Sequence, residues 1–165
     1  MTYDLIAVSR PEHWRPFHDI RRQELFEAKG RFGIYDDNHP DDVAAFAHPF
    51  LLVFEGRPIG TTRLDLHGDV AIFRLVAITA AEQGRGHGRV LGAMVEEKAR
   101  ELGAATLYVN AAADAVGYYE KTGWSRYEWD RAELVGLSVA CVQMRKLSRH
   151  YRSLPGQERC DDELG

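Results

Sequence analysis

Apolar residues along the chain alternate between short runs and helical spacings. Leu5 to Val8 is an apolar run closed by Ser9, Arg10 and Pro11; this predicts an edge strand followed by a helix start, because proline suits a first turn. From Glu12 to Ala28 the residues Trp14, Phe17, Ile20, Leu25 and Phe26 recur at mixed three- and five-residue intervals among polar ones, which predicts a helix. Lys29 to Asp42 carries two glycines, a proline and four Asp, so it reads as a loop with a short helix after Asp41. Phe50 to Phe54 and Ile59 to Leu66, separated by Glu55-Gly56-Arg57-Pro58, predict two antiparallel strands. Val70 to Ile78 is apolar everywhere but Arg74, as expected of the central strand of a sheet covered on both faces.

Further on, Val90, Leu91, Met94, Val95, Ala99 and Leu102 repeat at helical spacing before a stop at Gly103, and Thr106 to Val109 is rich in strand formers. Strand, loop, helix and strand then form a right-handed crossover between two parallel strands. Ala111 to Lys121 is alanine-rich and predicted helical, stopped at Gly123. Trp124 to Trp129 and Val139 to Met144 read as closing strands, and the composition turns polar from Ser148 to Gly165. The fold class is therefore α/β.

Composition narrows the function classes. The 165 residues fit one domain, 1–147, with a polar C-terminal tail, 148–165, and 45% hydrophobic residues are enough to fill a core. Lys and Arg total 21 against 25 Asp and Glu, for a net charge of -4. That leaves no basic excess to drive binding to nucleic acid. Cys141 and Cys160 form no C-x-x-C pair, and the histidines show no metal-ligand spacing. Neither a signal-peptide core nor a run near the roughly 18 apolar residues needed to span a bilayer is present. The expectations are a cytoplasmic protein with no membrane or nucleic-acid partner and no metal.

The chemistry concentrates in Gln83-Gly84-Arg85-Gly86-His87-Gly88, which follows the apolar strand and opens a helix. Backbone N–H groups converge there at the positive end of a helix dipole, and glycine permits close approach of an anion. Arg85, His87 and Arg89 add positive charge to this predicted phosphate site. Two familiar phosphate loops are excluded: a G-x-G-x-x-G fingerprint from Gly84 would need glycine where Arg89 stands, and no Gly-Lys-Ser/Thr triplet occurs.

Gln83-x-x-Gly86-x-Gly88 resembles the Gln/Arg-x-x-Gly-x-Gly/Ala signature of the GNAT superfamily of acyl-CoA-dependent N-acyltransferases. The stretch from Asn110 to Trp124, with Tyr118-Tyr119-Glu120-Lys121-Thr122-Gly123-Trp124, is similar to that family's second signature, Phe-Tyr-Glu-Lys-x-Gly-Phe. The likeness covers about residues 50 to 147 and is weaker over residues 1 to 49. It implies a mixed, twisted sheet of about six to seven strands flanked by about four helices, with the central strand and its parallel neighbour splayed apart.

The resemblance also implies acetyl-CoA as cosubstrate, an amine acceptor, and a homodimer as one option. The pyrophosphate would lie on the amides of Gly84, Arg85, Gly86, His87 and Gly88, bordered by Gln83 and Arg89. Val76, Ala77 and Ile78 would bind the pantetheine arm through main-chain groups, with the Val76 N–H also facing the oxyanion. Asn110 would contact that arm. Tyr119 would serve the leaving sulfur, as a hydrogen-bond donor more than a full acid, since a phenol is a weaker acid than a thiol.

The base is left open. The glutamate that histone-acetylating relatives carry on the central strand aligns with Ile72, leaving Glu24, Asp36, Asp37, His39, Asp65 or water. The acidic loop 36–42 is a candidate for attracting a cationic amine. A noncatalytic acyl-CoA-binding module and a protein-interaction domain are the alternative functions.

Overall fold

In the sheet, apolar residues alternate their burial between two opposite cores. Phe50 and Leu52 join one core and Leu51 and Val53 the other, because successive side chains of a strand point to opposite faces. The computed structural model describes residues 2–147, so the predicted polar tail lies outside the described residues. Its elements run β1 (Tyr3–Ala7), α1 (Pro11–Arg21), β2 (Ala47–Phe54), β3 (Arg57–His67), β4 (Val70–Ile78), α2 (His87–Glu101), β5 (Thr106–Ala111), α3 (Val116–Lys121), β6 (Ser125–Arg126) and β7 (Val142–Leu147). Seven strands form one sheet in the order β1-β2-β3-β4-β5-β7-β6, with β4 at its centre. Among the described residues only β4 and β5 pair in parallel.

The larger core packs Leu91, Val95 and Ala99 of α2 against Leu64, Phe73, Leu107 and Met144 of the sheet. On the opposite face, Phe17 and Ile20 of α1 cover Leu51, Val53 and Ala77. Among the described residues no helix is long and apolar enough to cross a membrane.

Three α-helices flank the sheet, with short 3-10 turns, where about four helices were expected. The fourth, the short helix expected after Asp41, is a 3-10 turn over Pro40–Val43, and three other segments depart from their expected form. The first predicted helix continues past Arg21, but as a π turn over Arg22–Phe26 and a 3-10 turn over Glu27–Lys29, ended by Gly30 in the left-handed region. That wider turn accounts for the five-residue step from Ile20 to Leu25. The segment from Ala111 starts as strand, because Asn110 and Ala111 still pair with Gln143 and Val142 of β7; helix begins only at Val116. Finally, the strand predicted over Trp124 to Trp129 shrinks to Ser125–Arg126, because the amides of Trp129 and Asp130 donate to the side chain of Gln143 instead of a ladder.

Two features open the sheet at its centre. Thr61 pairs with Ala77 and Arg63 with Arg74, so Leu75 and Val76 together oppose Thr62 in a β-bulge. Leu75 carries φ of 54° there, a conformation costly for a side chain with a Cβ. The parallel ladder between β4 and β5 ends at Phe73 and Val109. Beyond that point the β5 side of β4 has no strand partner.

Candidate active site

The gap between β4 and β5 is lined as two clefts that share their innermost wall. The first, of about 370 Å³, runs between α2 and α3 and is lined by Gly88, Arg89, Gly92, Tyr118, Lys121 and Trp124 among others. A second, of about 270 Å³, is lined by Phe26, Arg31, Arg74, Asn110, Leu137 and Cys141 among others. Phe73, Val76 and Tyr119 line both. A ligand entering from each side therefore reaches the same three residues.

The start of α2 borders the first cleft. Gly86 caps it in the left-handed region at φ 85°, no side chain caps its amides, and no acid stands in its first turn. The first four N–H groups of a helix have no intrahelical acceptor, so this end offers donors and a positive dipole to an anion. A Cβ at Gly84 or Gly86 would meet nothing within 4 Å, whereas both residues have positive φ. Glycine is required at these two positions by conformation. At Gly88 a Cβ would make only an ordinary contact with Ile78 at 3.8 Å, so nothing inside the fold demands glycine there.

Tyr119 and Tyr118 stand differently. Tyr118 donates its hydroxyl to the Gly88 carbonyl at 3.0 Å, while the Tyr119 hydroxyl has no hydrogen-bond partner among the described residues. The Tyr119 ring is held edge-on by Tyr118 and Trp124 at 5.4 Å each. Burial pushes its phenol well above the usual value, and the charge of Tyr118 adds to the rise. It stays protonated at neutral pH and offers an O–H to the place where the clefts meet.

The other expected residues fall in several places. Val76, Gly88 and Arg89 line the first cleft. Gln83 turns its amide back to the Ile78 carbonyl at 2.9 Å and to Glu24 at 3.4 Å, fixing the end of β4 rather than presenting a donor outward. Arg85 is exposed and lies 3.7 Å from Glu82. Ala77 is buried in the α1-facing core and Ile78 packs against the other.

Two of the expected residues have side chains engaged within the fold. The His87 ring turns into the interior, buried between the Tyr3 hydroxyl at 2.7 Å and Glu82 at 3.0 Å. Only its backbone belongs to the helix start. Asn110 lines the second cleft, not the first, and its amide is committed on both sides, donating to Glu133 at 3.0 Å and accepting from Gln143 at 3.0 Å. Those bonds hold β5 to β7 and to the loop ahead of β7, and leave one N–H and one lone pair of the amide unused.

Acids of the loop 36–42 are engaged within the fold. Asp36 caps a turn by accepting from the Asn38 amide. Asp42 is buried between Arg21 at 2.9 Å and Arg63 at 2.8 Å. Asp37 and His39 line a third depression with Trp14 and His18, which shares no residue with the clefts at Val76 and Tyr119.

A chain of charges links that region to the second cleft. Arg63 also binds Asp65 at 2.8 and 3.0 Å, Arg74 binds Asp65 at 3.2 Å, and Arg74 forms a two-pronged pair with Glu133. Burial works against ionisation of Glu133, but Arg74 and Asn110 outweigh it and hold its carboxyl below the usual range. Three cations and three carboxylates balance along the chain. Sequence spacing gave no sign of it, because its members come from α1, β3, β4 and two loops. Of the candidate bases, Asp65 is bound by two arginines and Glu24 accepts from the Ala80 amide at 3.0 Å. Among the described residues no carboxylate lines the second cleft, and no group of three His, Cys, Asp or Glu is placed to hold a metal.

Known proteins match this arrangement at the level of fold. An acyl-CoA N-acyltransferase from Pseudomonas aeruginosa superposes with a TM-score of 0.71 at 18% identity, covering 88% of this chain and 99% of its own. The ribosomal-protein-S18-alanine N-acetyltransferase of Escherichia coli gives 0.70 at 15% identity, over 89% of this chain and 94% of its own. PaiA N-acetyltransferase from Thermoplasma acidophilum, solved in complex with coenzyme A, gives 0.67 at 12% identity, over 89% and 99%. No curated protein matches the sequence. The model of the acetyltransferase (GNAT) family matches residues 7–124, which include β4, the glycine loop, α2 and Tyr119. The chain belongs to the acetyltransferase (GNAT) family.

Proposed function

We propose that the protein transfers an acetyl group from acetyl-CoA to an amine, by direct attack while both substrates are bound. The observation that carries this reading is the meeting of two clefts at Val76 and Tyr119. One cleft begins at an uncapped helix start, suited to a pyrophosphate, and the other opens on the opposite side of the same two residues.

Acetyl-CoA supplies an activated thioester. Its phosphates fit the amides from Gly84 to Gly88, with Arg89 at the rim, and its arm fits the wall formed by Val76, Gly92 and Tyr118. Within this reading the Val76 N–H, at the bulge, donates to the thioester oxygen as negative charge develops. A donor fixed before the charge appears is worth about 3–4 kcal/mol in comparable sites. The acceptor nitrogen forms its bond to carbon as the C–S bond breaks. Its proton leaves to water, since no carboxylate lines the second cleft among the described residues. Tyr119 donates its O–H to the departing sulfur. Its raised pKa makes hydrogen bonding, not full transfer, the stabilising contribution.

Release of CoA thiol from acetyl-CoA over a panel of amines, with product identified by mass, tests the proposal. Amine-dependent thiol release supports it. Tight CoA binding, seen as a rise in melting temperature, with no amine-dependent release across the panel, overturns it in favour of a noncatalytic binding module.

A further inference from the structure

We infer that the second cleft receives an amine that also carries a carboxylate and an apolar side chain, of which a free apolar α-amino acid is the smallest example. The inference rests on the transferase reading, because it names that reading's acceptor.

The charged side chains lining this cleft are Lys29, Arg31 and Arg74, with no acid among the described residues. Arg74 is already neutralised by Asp65 and Glu133. Lys29 and Arg31 make no ion pair or side-chain hydrogen bond with any described residue. Two uncompensated cations thus face one cleft of a chain whose net charge is -4. That field repels a polyamine or a lysine side chain and favours an anion. Arginine presents a planar fork that a carboxylate matches, and lysine adds a point charge beside it. A phosphate would call for converging backbone amides, and the uncapped helix start that supplies them borders the other cleft.

Most of the remaining wall is apolar. Leu25, Phe26 and Val109 line it, and Leu75 and Leu137 stand 39% and 57% exposed at its edge. Leucines left this open on a cleft wall gain cover from an apolar ligand. The volume of about 270 Å³ lies near the lower end of small-molecule sites, roughly 300 Å³, which suits a ligand of amino-acid size.

The acetylated product is the cleanest probe, because its nitrogen no longer titrates. Binding of N-acetylleucine and of N-acetylleucinamide is measured by calorimetry at low ionic strength with CoA present, for the parent and for Lys29→Gln with Arg31→Gln. The parent is expected to bind the carboxylate at least about 10-fold more tightly than the amide, the size of one good charge-assisted contact. The double variant should lose that preference with its melting temperature unchanged, and Lys29→Arg with Arg31→Lys should retain it. Equal affinity of the parent for the two compounds, no binding of N-acetylleucine at millimolar concentration, or tighter binding of N-acetylputrescine would each overturn the inference. Thiol release is not needed for this readout, so failure here and failure of the transferase reading are separate results.

Discussion

The hydroxyl of Tyr118 donates to the carbonyl of Gly88 at 3.0 Å, tying α3 to the first turn of α2. Its neighbour Tyr119 has a hydroxyl that nothing in the described residues engages. A bonded hydroxyl has a structural duty and a free one in a shared cleft is available for chemistry. Tyr119→Phe is therefore expected to lower kcat by roughly 10- to 1000-fold with CoA affinity nearly unchanged, because the lost hydrogen bond strengthens only in the transition state. Tyr118→Phe should leave kcat within about 3-fold and lower the melting temperature slightly, as loss of one partly exposed hydrogen bond does. Steady-state kinetics and CoA titration of the two variants check this. Full activity of Tyr119→Phe would leave that residue a packing group.

The glycines of the loop separate in the same way. A side chain at Gly86 must adopt φ near 85°, which costs about 1–2 kcal/mol, so weaker CoA binding by Gly86→Val mixes strain with lost approach. Gly88 lies within α2, where a Cβ meets only Ile78 at 3.8 Å. Gly88→Val is expected to keep the melting temperature of the ligand-free protein and to weaken CoA by about 10-fold or more, equal to about 1.4 kcal/mol. Arg85→Ala, at an exposed position paired only with Glu82, should change CoA affinity far less. An unchanged dissociation constant for Gly88→Val would place the phosphates elsewhere.

What the sequence revealed was whatever depends on neighbours along the chain. The apolar run of β4, the helical spacing of α2 and the glycines between them fall within a few residues of one another, and each follows local rules of pattern and capping. The seven-stranded sheet is what that pattern and the family likeness implied. Contacts between distant residues were hidden. Asp42 looks like one more solvated loop aspartate until the fold brings Arg21 and Arg63 against it. Likewise His87 reads as a loop side chain, yet the fold buries it against Tyr3, 84 residues away. Lys29 and Arg31 carried no motif at all. Their meaning comes from the cleft they line.

Asp42 also sets an acid limit on the fold. Burial alone would raise its carboxyl, but hydrogen bonds and charge from Arg21 and Arg63 outweigh that and hold its pKa below the usual 3.8. With a depressed folded pKa, the folded chain binds fewer protons than the unfolded one in that window. The stabilisation is full above pH 3.8 and is lost as pH falls through the lower folded value. Asp42→Asn removes the carboxylate of buried Arg21 while Arg63 keeps Asp65, and is expected to cost about 3–5 kcal/mol at pH 7. Below pH 3.8 the difference from the parent should narrow. Urea unfolding at a series of pH values measures it, and a gap that stays constant down to the acid limit would show that Asp42 contributes packing alone.

The acceptor side leads to a last expectation, about protons. An ammonium has no lone pair, so an amine must be neutral when it attacks. Ile72 occupies the strand position where a base was sought and is buried at 7% exposure. Asp65 is bound by Arg63 and Arg74, Glu24 by the Ala80 amide, and no carboxylate among the described residues lines the cleft. In the proposed reading the proton goes to water, and the reactive species is the free amine drawn from solution. The acid limb of kcat/KM then reports the ionisation of the acceptor itself. Two acceptors of similar shape whose amine pKa values differ by about 1 unit should show limbs displaced by about 1 pH unit. A base on the enzyme would instead fix the limb at one pH for both. Profiles for a matched pair, collected at saturating acetyl-CoA and constant ionic strength, distinguish the two. Coincident limbs would return Glu24 and Asp65 to the mechanism and require the Arg74 pairing to open during turnover.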